Sequence, residues 1–249
     1  MLQNIKKWIS DENELTNQKK KYEIGNVLEI DGKYESKYTS ISIINEKLLR
    51  SNEFDINDFL ELPNINKQEL IQDLEDTISY IKNNLLQKLL ENIFNDKDIR
   101  IRYIECPSSV KKHHAYKHGN LRHTISMVNL FKNLEIFYNR NTNLDVDLIY
   151  TGILLHDIGK IYEYTIYNGV PKVIPGSKLY GHLVLGIQLV SGFMNKIENF
   201  PIDYKNRIRH LILSHHGKRE WGSLVEPQIP EAEFLHFLDM VDSRFSLNQ

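Results

Sequence analysis

The spacing of hydrophobic residues changes along the chain. Residues 22–44 alternate apolar and polar side chains, with turn signals at Gly25 and at Asp31-Gly32, a pattern that predicts a short β-hairpin or meander. Residues 64–95 instead carry apolar side chains three or four positions apart, which is a helical period. The stripe in this segment consists of Leu70, Leu74, Ile78, Ile81 and Leu85.

The change of period predicts two parts of unequal size. A small β-rich N-terminal module is expected over 1–52 and a helical domain over 53–249, with Pro63 close to the boundary. Residues 161–178 interrupt the helical part, because they are rich in Tyr, Val, Ile and Thr around Asn168-Gly169 and predict a projecting hairpin or loop. Helical patterns are expected near 119–140, 145–157, 180–198, 202–216 and 231–245. The predicted fold class is mainly α, with the β module at one end and the hairpin as an insertion.

Composition narrows the function classes. The chain has 249 residues, 41% of them hydrophobic and 26% charged, which is typical of a globular protein. A formal net charge of -2 gives no overall attraction for nucleic acid or anionic membranes, so any basic surface must be local. Cys106 is the single cysteine, which excludes an internal disulfide and a cysteine-based zinc cluster. No apolar run has the length of a signal peptide core or a bilayer span, so we expect a cytoplasmic protein without a membrane partner.

The ten histidines all follow residue 112. For one histidine alone, a hydrogen bond to a backbone carbonyl is the more frequent explanation. Helical periodicity, however, directs several of them toward the core, and each buried polar group without a partner costs roughly 1–3 kcal/mol. A shared cation is the simplest solution for the whole set. The inward-pointing side chains are His123, His156, His182, His215, His216 and Asp239.

Two adjacent pairs of ligand-like side chains, His156-Asp157 and His215-His216, precede Gly159 and Gly217, which are typical of helix ends. The last turn of a helix carries partial negative charge, which favours a nearby cation. Imidazole and carboxylate ligands suit Mn, Fe, Ni, Co or Zn, whereas Mg would prefer more oxygen ligands. The set exceeds the coordination of one ion, so we expect two divalent transition metal ions bridged by Asp157, an arrangement suited to phosphoryl displacement.

The order His123, His156-Asp157 and Asp239 resembles the H, HD, D signature of the HD-domain metal phosphohydrolase superfamily. Four longer stretches are similar to the YhaM-type 3′-5′ exoribonuclease subgroup: "HHAYKHGNLRHTISMV", "GILLHDIGKIYEY", "YGHLVLGIQLV" and "HLILSHHGKREWGSLVEPQIPEAEFLHFLDMVD". The likeness runs from about residue 53 to residue 246. The resemblance implies a helical HD fold, a dinuclear metal site and hydrolysis of phosphodiesters.

The resemblance also implies roles for individual residues. Lys160 matches a basic residue near the phosphate and would act with Asp157 in catalysis. His114 matches a histidine that would contact substrate or protonate the leaving oxygen. Asp242 is interpreted as a carboxylate that supports a ligand. The ligands implied for the first ion are His123, His156, Asp157 and Asp239, and those for the second are His182, His215 and His216 with bridging Asp157.

Substrate binding is assigned to local basic residues. Arg122 stands where the subgroup more usually has a glutamate, which leaves it to bind phosphate or to face solvent. Lys218 and Arg219 follow the second histidine pair and are candidates for phosphate contacts. Further basic residues beside the predicted ligands are Lys111, Lys112, Lys117 and Lys178, and candidates for base stacking are Tyr116, Tyr162, Tyr164 and Trp221. For each of these taken singly, an ordinary solvated face is the more frequent explanation.

Three functions remain open. The leading hypothesis is a metal-dependent phosphodiesterase that degrades single-stranded RNA or DNA from the 3′ end. About 52 residues precede the matching region, too few for the five-stranded OB barrel of the subgroup, so a reduced OB-like module or another module is expected there. This favours the second hypothesis, an HD-type nucleotide or cyclic-dinucleotide phosphohydrolase. The third is a non-catalytic metal- or nucleotide-binding protein, against which the complete ligand set argues. Self-association is left open.

Overall fold

The computed structural model describes residues 4–6, 23, 25–37, 40–55, 65–110, 114–138 and 143–245. The chain divides into two compact units. One comprises Met1–Leu62 with Tyr167–Val170, and the other comprises Pro63–Ile166 with Pro171–Gln249. The predicted class, a mainly helical bundle with a small N-terminal β sheet, is confirmed.

The N-terminal sheet has three strands in the order β1-β3-β2. The strands are β1 (Asn4–Lys6), β2 (Leu28–Glu35) and β3 (Ser40–Leu48). β2 pairs antiparallel with β3, and β1 pairs parallel with it. The expected turn at Asp31-Gly32 was wrong, because this dipeptide lies inside β2 at a shift of register. Gly32 suits that position, since a Cβ there would lie 2.5 Å from Ile41 Cγ2.

The helical unit follows the predicted order of elements. Its helices are α1 (Lys67–Tyr80), α2 (Asn84–Phe94), α3 (Lys97–Glu105), α4 (Gly119–Tyr138), α5 (Val146–Leu155), α6 (Lys160–Glu163), α7 (Gly181–Lys196), α8 (Ile202–Ser214) and α9 (Pro230–Phe245). A two-stranded hairpin of β4 (Tyr164–Tyr167) and β5 (Val170–Val173) lies within the expected interruption. In the described part of the chain, none of the helices is long and apolar enough to cross a membrane.

The helical period over 64–95 does not form one helix. The chain breaks between α1 and α2, where Asn83 accepts hydrogen bonds from Leu85 N (3.0 Å) and Leu86 N (3.3 Å) as an N-cap. The carboxylate of Asp147 accepts from Asn83 N at 2.7 Å. The apolar stripe continues across the break because Ile81 is buried in the same core.

α5 is the central helix. Every residue from Leu148 to Leu155 is buried, as expected of a helix that is apolar on all sides. Gly152 allows the close packing of α8 and α9, because a Cβ there would lie 2.8 Å from Leu211 Cδ1 and 3.2 Å from Leu235 Cδ2. α5 therefore ends deep inside the bundle, and the residues that follow it are buried.

Candidate metal centre

Helix ends supply most of the polar side chains that meet at the end of α5. His156 is the C-cap of α5, and His215 is the C-cap of α8. His182 lies in the first turn of α7, His123 lies in α4 and Asp239 lies in α9. Gly159 brings α7 close, since a Cβ at Gly159 would lie 1.9 Å from the His182 carbonyl oxygen. Only a glycine permits this approach of the two main chains.

The first cluster consists of His123, His156, Asp157 and Asp239. His123 Nε2 lies 3.2 Å from His156 Nε2 and 3.3 Å from Asp239 Oδ1. Asp157 Oδ2 lies 3.2 Å from His156 Nε2 and 3.8 Å from His123 Nε2. Ligand atoms bound about 2.1 Å from one ion lie roughly 3 to 3.5 Å from one another, so this spacing fits a single cation.

The second cluster consists of His182, His215 and His216. Nε2 of His182 lies 3.4 Å from Nε2 of His216. The other oxygen of Asp157, Oδ1, lies 3.7 Å from His182 Nε2 and 3.6 Å from His215 Nε2. Asp157 thus presents one oxygen to each cluster, the geometry of a bridging carboxylate.

The outer nitrogens of four histidines are held by acceptors. Nδ1 of His156 donates to the Ile153 carbonyl at 2.8 Å, and Nδ1 of His215 donates to the Ile212 carbonyl at 2.9 Å. His123 Nδ1 contacts Asp242 Oδ2 at 2.6 Å, and His182 Nδ1 contacts Glu163 Oε2 at 2.7 Å. A carbonyl oxygen only accepts, so Nδ1 of His156 and of His215 must carry a proton, which leaves the Nε2 atom of each ring to bind an ion in the centre.

An unsatisfied carboxylate oxygen indicates what the centre needs. Asp157 Oδ1 is buried and has no hydrogen-bond partner in the described part of the chain, although it faces Nε2 of His182 and of His215. Lone pairs that face one another repel unless a cation lies between them. The two clusters fit divalent ions with nitrogen and oxygen ligands, and His123, His156 and Asp157, like His182, His215 and His216, have ligand atoms within 4.8 Å of one another.

Charge is distributed unevenly between the clusters. Burial opposes the charged form of His123, but Asp239 and Asp242 outweigh it and raise the pKa of His123 to about 9. Burial, with His215 and His182 nearby, lowers the pKa of His216 to about 3. The pKa of His215 is also lowered, mainly by burial. The first cluster therefore holds a proton at neutral pH, whereas His215 and His216 stay neutral and ready to bind a metal.

Lys160 forms an ion pair with the bridging carboxylate. Its Nζ lies 2.5 Å from Asp157 Oδ2 and 3.5 Å from Ser108 Oγ. Burial opposes both charges, but the pair outweighs it: the pKa of Asp157 is held well below its usual range, and that of Lys160 is raised. An ammonium group thus stands beside the carboxylate that both clusters share, at the wall of the cavity.

Asp242 links the first cluster to His114. Its Oδ2 contacts His123 Nδ1 and lies 3.2 Å from His114 Nε2, while His114 Nδ1 lies 2.7 Å from the hydroxyl of Tyr116. Asp242 therefore supports His123 from outside the cluster. His114 is connected to His123 of the first cluster through the Asp242 carboxylate, which both rings contact.

A cavity of about 390 Å³ opens onto the centre. Its walls combine the metal-ligating groups with aromatic, basic and apolar side chains. The lining residues are Asp157, Lys160, His215, His216, Trp221, His236, Asp239, Met240, Ser243 and Arg244.

The predicted substrate-binding residues are distributed differently. Arg122 lines a separate cavity of about 430 Å³, together with His114, Glu69 and Asp73. Lys218 stands beside the cavity that contains Asp157 (the metal cavity), with its Nζ 4.9 Å from the centroid of the Trp221 ring. Arg219 begins the 3-10 turn Arg219–Trp221.

Among the described residues, the other basic and aromatic candidates line neither of these two cavities. Lys117 is paired with Glu105 at 2.9 Å. Tyr162 and Tyr164 pack against the core. Lys178 lies in the 3-10 turn Ser177–Leu179. Lys111 and Lys112 lie outside the described residues.

Two supporting residues were not found from the sequence. Glu163 holds both the ring and the backbone N–H of His182, the latter at 3.0 Å. Its position three residues after Lys160, at helical spacing, was the available signal. Nδ1 of His236 donates to the carbonyl oxygen of His215 at 2.8 Å. His236 had only its position three residues before Asp239 to indicate a role.

A family model, HD domain, matches residues 120–244. The match covers just over half of the 249 residues and includes every side chain of both clusters. The chain belongs to the HD-domain family, whose members are typically metal-dependent phosphohydrolases. A search of the solved structures found no match.

Proposed function

We propose that the chain is a phosphodiesterase that shortens single-stranded nucleic acid from the 3′ end in the cytoplasm, with RNA as the first substrate to test. The observation that carries this proposal is Asp157, whose two oxygens face two separate clusters of histidines. The direction of degradation, from the 3′ end, and the choice of nucleic acid as substrate rest on the resemblance to the exoribonuclease subgroup.

The residues divide the work as follows. Two divalent ions, with Mn²⁺ the first to test, would supply positive charge that stabilises phosphoryl oxygens and lowers the pKa of water. Asp157 would hold both ions, because its two oxygens face different clusters. His156 and His215 keep their Nε2 lone pairs directed inward, because their Nδ1 protons are held by carbonyls. Lys160 lies at the cavity wall, where its ammonium can turn from Asp157 toward a substrate phosphate.

His114 takes a different role in this proposal from the one implied by resemblance. Its ring contacts Asp242 and lines the neighbouring cavity. We therefore assign His114 to positioning: it holds Asp242, which holds His123. Arg122 lines the same neighbouring cavity, so a phosphate bound by Arg122 would lie outside the cavity that contains Asp157.

The experiment is a Mn²⁺-dependent digestion of single-stranded RNA labelled at the 3′ or the 5′ end, with Asp157→Ala beside the wild type. The proposal expects a ladder of 5′-labelled products that shorten stepwise, and no products from the variant. Cuts at internal positions, or digestion that survives in Asp157→Ala, would overturn it.

The size of the metal cavity favours a second candidate, a phosphohydrolase of nucleotides or cyclic dinucleotides. Its volume of about 390 Å³ lies at the small end of the range for ligand pockets, about 300–1,000 Å³. Release of phosphate from mononucleotides, or linearisation of a cyclic dinucleotide, by a protein that leaves RNA intact would establish this candidate instead.

A further inference from the structure

The wall of the metal cavity carries two exposed side chains that neither cluster uses, Trp221 and Arg244. Trp221 is 47% exposed, and Arg244 is also exposed. Both line the cavity that contains Asp157, Lys160 and Asp239. The inference below rests on the proposed function and concerns what this cavity recognises.

Trp221 is connected to the metal centre through His236. Its ring stacks on His236, with centroids 5.8 Å apart and an interplanar angle of 30°. His236 in turn donates to the carbonyl of His215, whose Nε2 faces the second cluster. Gly217 permits this packing, because a Cβ there would lie 2.4 Å from the His236 ring. The aromatic surface is therefore connected to a metal-ligating residue through one histidine.

The segment around Trp221 is fixed by its own hydrogen bonds. Trp221 N donates to the Lys218 carbonyl at 3.0 Å, and Ser223 Oγ donates to the Leu213 carbonyl in α8 at 3.0 Å. A pre-ordered aromatic ring loses little conformational entropy when a flat ligand stacks on it. Lys218 also lies over the indole, but its side chain is 58% exposed and can move aside for a base.

Arg244 supplies the complementary charge. Among the described residues its guanidinium forms neither a hydrogen bond nor an ion pair, although it lines a cavity with two carboxylates. A planar guanidinium binds phosphate oxygens through two parallel hydrogen bonds. Arg244 lies in α9, the helix that also supplies Asp239, so its distance from the centre is set by helical geometry.

We propose that Trp221 and Arg244 form a recognition rim for one nucleotide: Trp221 stacks on the base, and Arg244 binds a phosphate of the same end of the strand. The cavity volume of about 390 Å³ suits one nucleotide rather than a continuous strand. The rim therefore selects a substrate end that carries a nucleobase, and a sugar phosphate without a base is a poor ligand.

Fluorescence tests the stacking directly. The sequence has two tryptophans, Trp8 and Trp221, so the Trp8→Phe protein reports on Trp221 alone. It is titrated, with Mn²⁺ present, with the non-hydrolysable methylenephosphonate analogue of adenosine monophosphate and with the same phosphonate lacking the base. The rim predicts saturable quenching by the first ligand and none by the second at equal concentration.

Calorimetry with variants completes the test. Trp221→Leu should weaken binding of the base-bearing phosphonate roughly tenfold and leave the baseless one unchanged, since one stacked base contributes at about this level. Trp221→Phe should retain most of the affinity, and Arg244→Gln should weaken both ligands. Phe237→Leu is the matched control, because Phe237 is 49% exposed on α9 and lies outside the cavity wall. Lys88→Gln is the control for loss of one charge.

Two outcomes overturn the rim: quenching that does not depend on the base, or equal affinities of Trp221→Leu and wild type for the base-bearing ligand. The proposed function fails separately. RNA shortening by wild type with an unchanged KM in Trp221→Leu removes the rim and keeps the exonuclease. Intact RNA with base-dependent quenching removes the exonuclease and keeps the rim as a mononucleotide site.

Discussion

The two clusters that share Asp157 both bury polar side chains, but the protonation of their histidines differs. In the first cluster, Asp239 and Asp242 surround His123 and raise its pKa to about 9, so a proton provides positive charge when no ion is bound. In the second cluster, burial keeps His215 and His216 neutral, and Glu163 is the carboxylate that holds His182. The first cluster is thus balanced without a metal, whereas the second is left with lone pairs that face one another.

Asp157→Asn should have the largest effect, because Asp157 faces both clusters. The amide keeps the shape but removes the charge that both clusters share, so we expect metal content to fall from about two ions per chain toward none. Mass spectrometry of the purified protein for bound metals measures this. Asp203→Asn, at an exposed position, is the control, and two ions retained in Asp157→Asn would contradict the bridging role.

Asp242→Asn should affect the first cluster alone. Loss of a carboxylate that orients a metal-ligating histidine typically lowers metal affinity about 10–100-fold, and here His123 also loses part of the charge that raises its pKa. Competition with a fluorescent chelator resolves the two affinities. The second cluster should bind as before, so an equal loss at both would show that Asp242 acts on the fold in general.

The pH dependence of metal binding should differ between the clusters. The pKa of His123 is raised to about 9 in the ion-free protein, so its protonated form stabilises that state fully below about pH 6.5, and this stability is lost as the pH rises through 9. A metal must displace this proton, so affinity at the first cluster should rise with pH, up to about tenfold per unit below pH 9.

His216, with a pKa of about 3, has no proton to lose in this range. Calorimetry in two buffers of different ionisation enthalpy counts the released protons. Proton release that is equal at both clusters would contradict the asymmetry.

Glu163→Gln should produce the smallest effect, about tenfold on the second cluster, at the low end for such a substitution. Glutamine can still accept from His182 Nδ1, so the ring orientation is partly kept and only the charge is lost. The same chelator competition applies, with the exposed Glu198→Gln as the control. A larger loss at the first cluster than at the second would contradict the assignment of Glu163.

The sequence could predict which side chains point inward, because residues three or four positions apart share one face of a helix. His123 precedes Met127 by four positions, His156 follows Ile149 by seven and Gly152 by four, and Asp239 follows Leu235 by four. This local spacing places each side chain on an apolar helix face. The carboxylates that hold the rings of His123 and His182, in contrast, come from distant parts of the sequence. Glu163 ends a helix of four residues and contacts His182, 19 positions further on, and no local pattern encodes that contact.

Three other features depend on contacts that local patterns do not encode. The apolar stripe across residues 64–95 continues through the break at Asn83, because burial of Ile81 preserves the period while Asn83 and Asp147 fix the new helix start. Asp31-Gly32 has the composition of a hairpin turn, but the packing of Ile41 against Gly32 decides its place inside a strand. Arg122 lies one residue before His123, and adjacent positions on a helix point in different directions, so Arg122 lines another cavity.

The contact at Gly159 limits how the centre can adapt to different metals. A Cβ at this position would collide with the His182 carbonyl at 1.9 Å and with the Gly186 amide nitrogen at 2.5 Å, so α7 rests directly on the main chain that follows Asp157. Main-chain atoms in contact leave no rotamer to adjust. The main chains that carry Asp157 and His182 therefore keep a fixed separation, and any difference in ion radius would have to be taken up by the side chains of the two clusters.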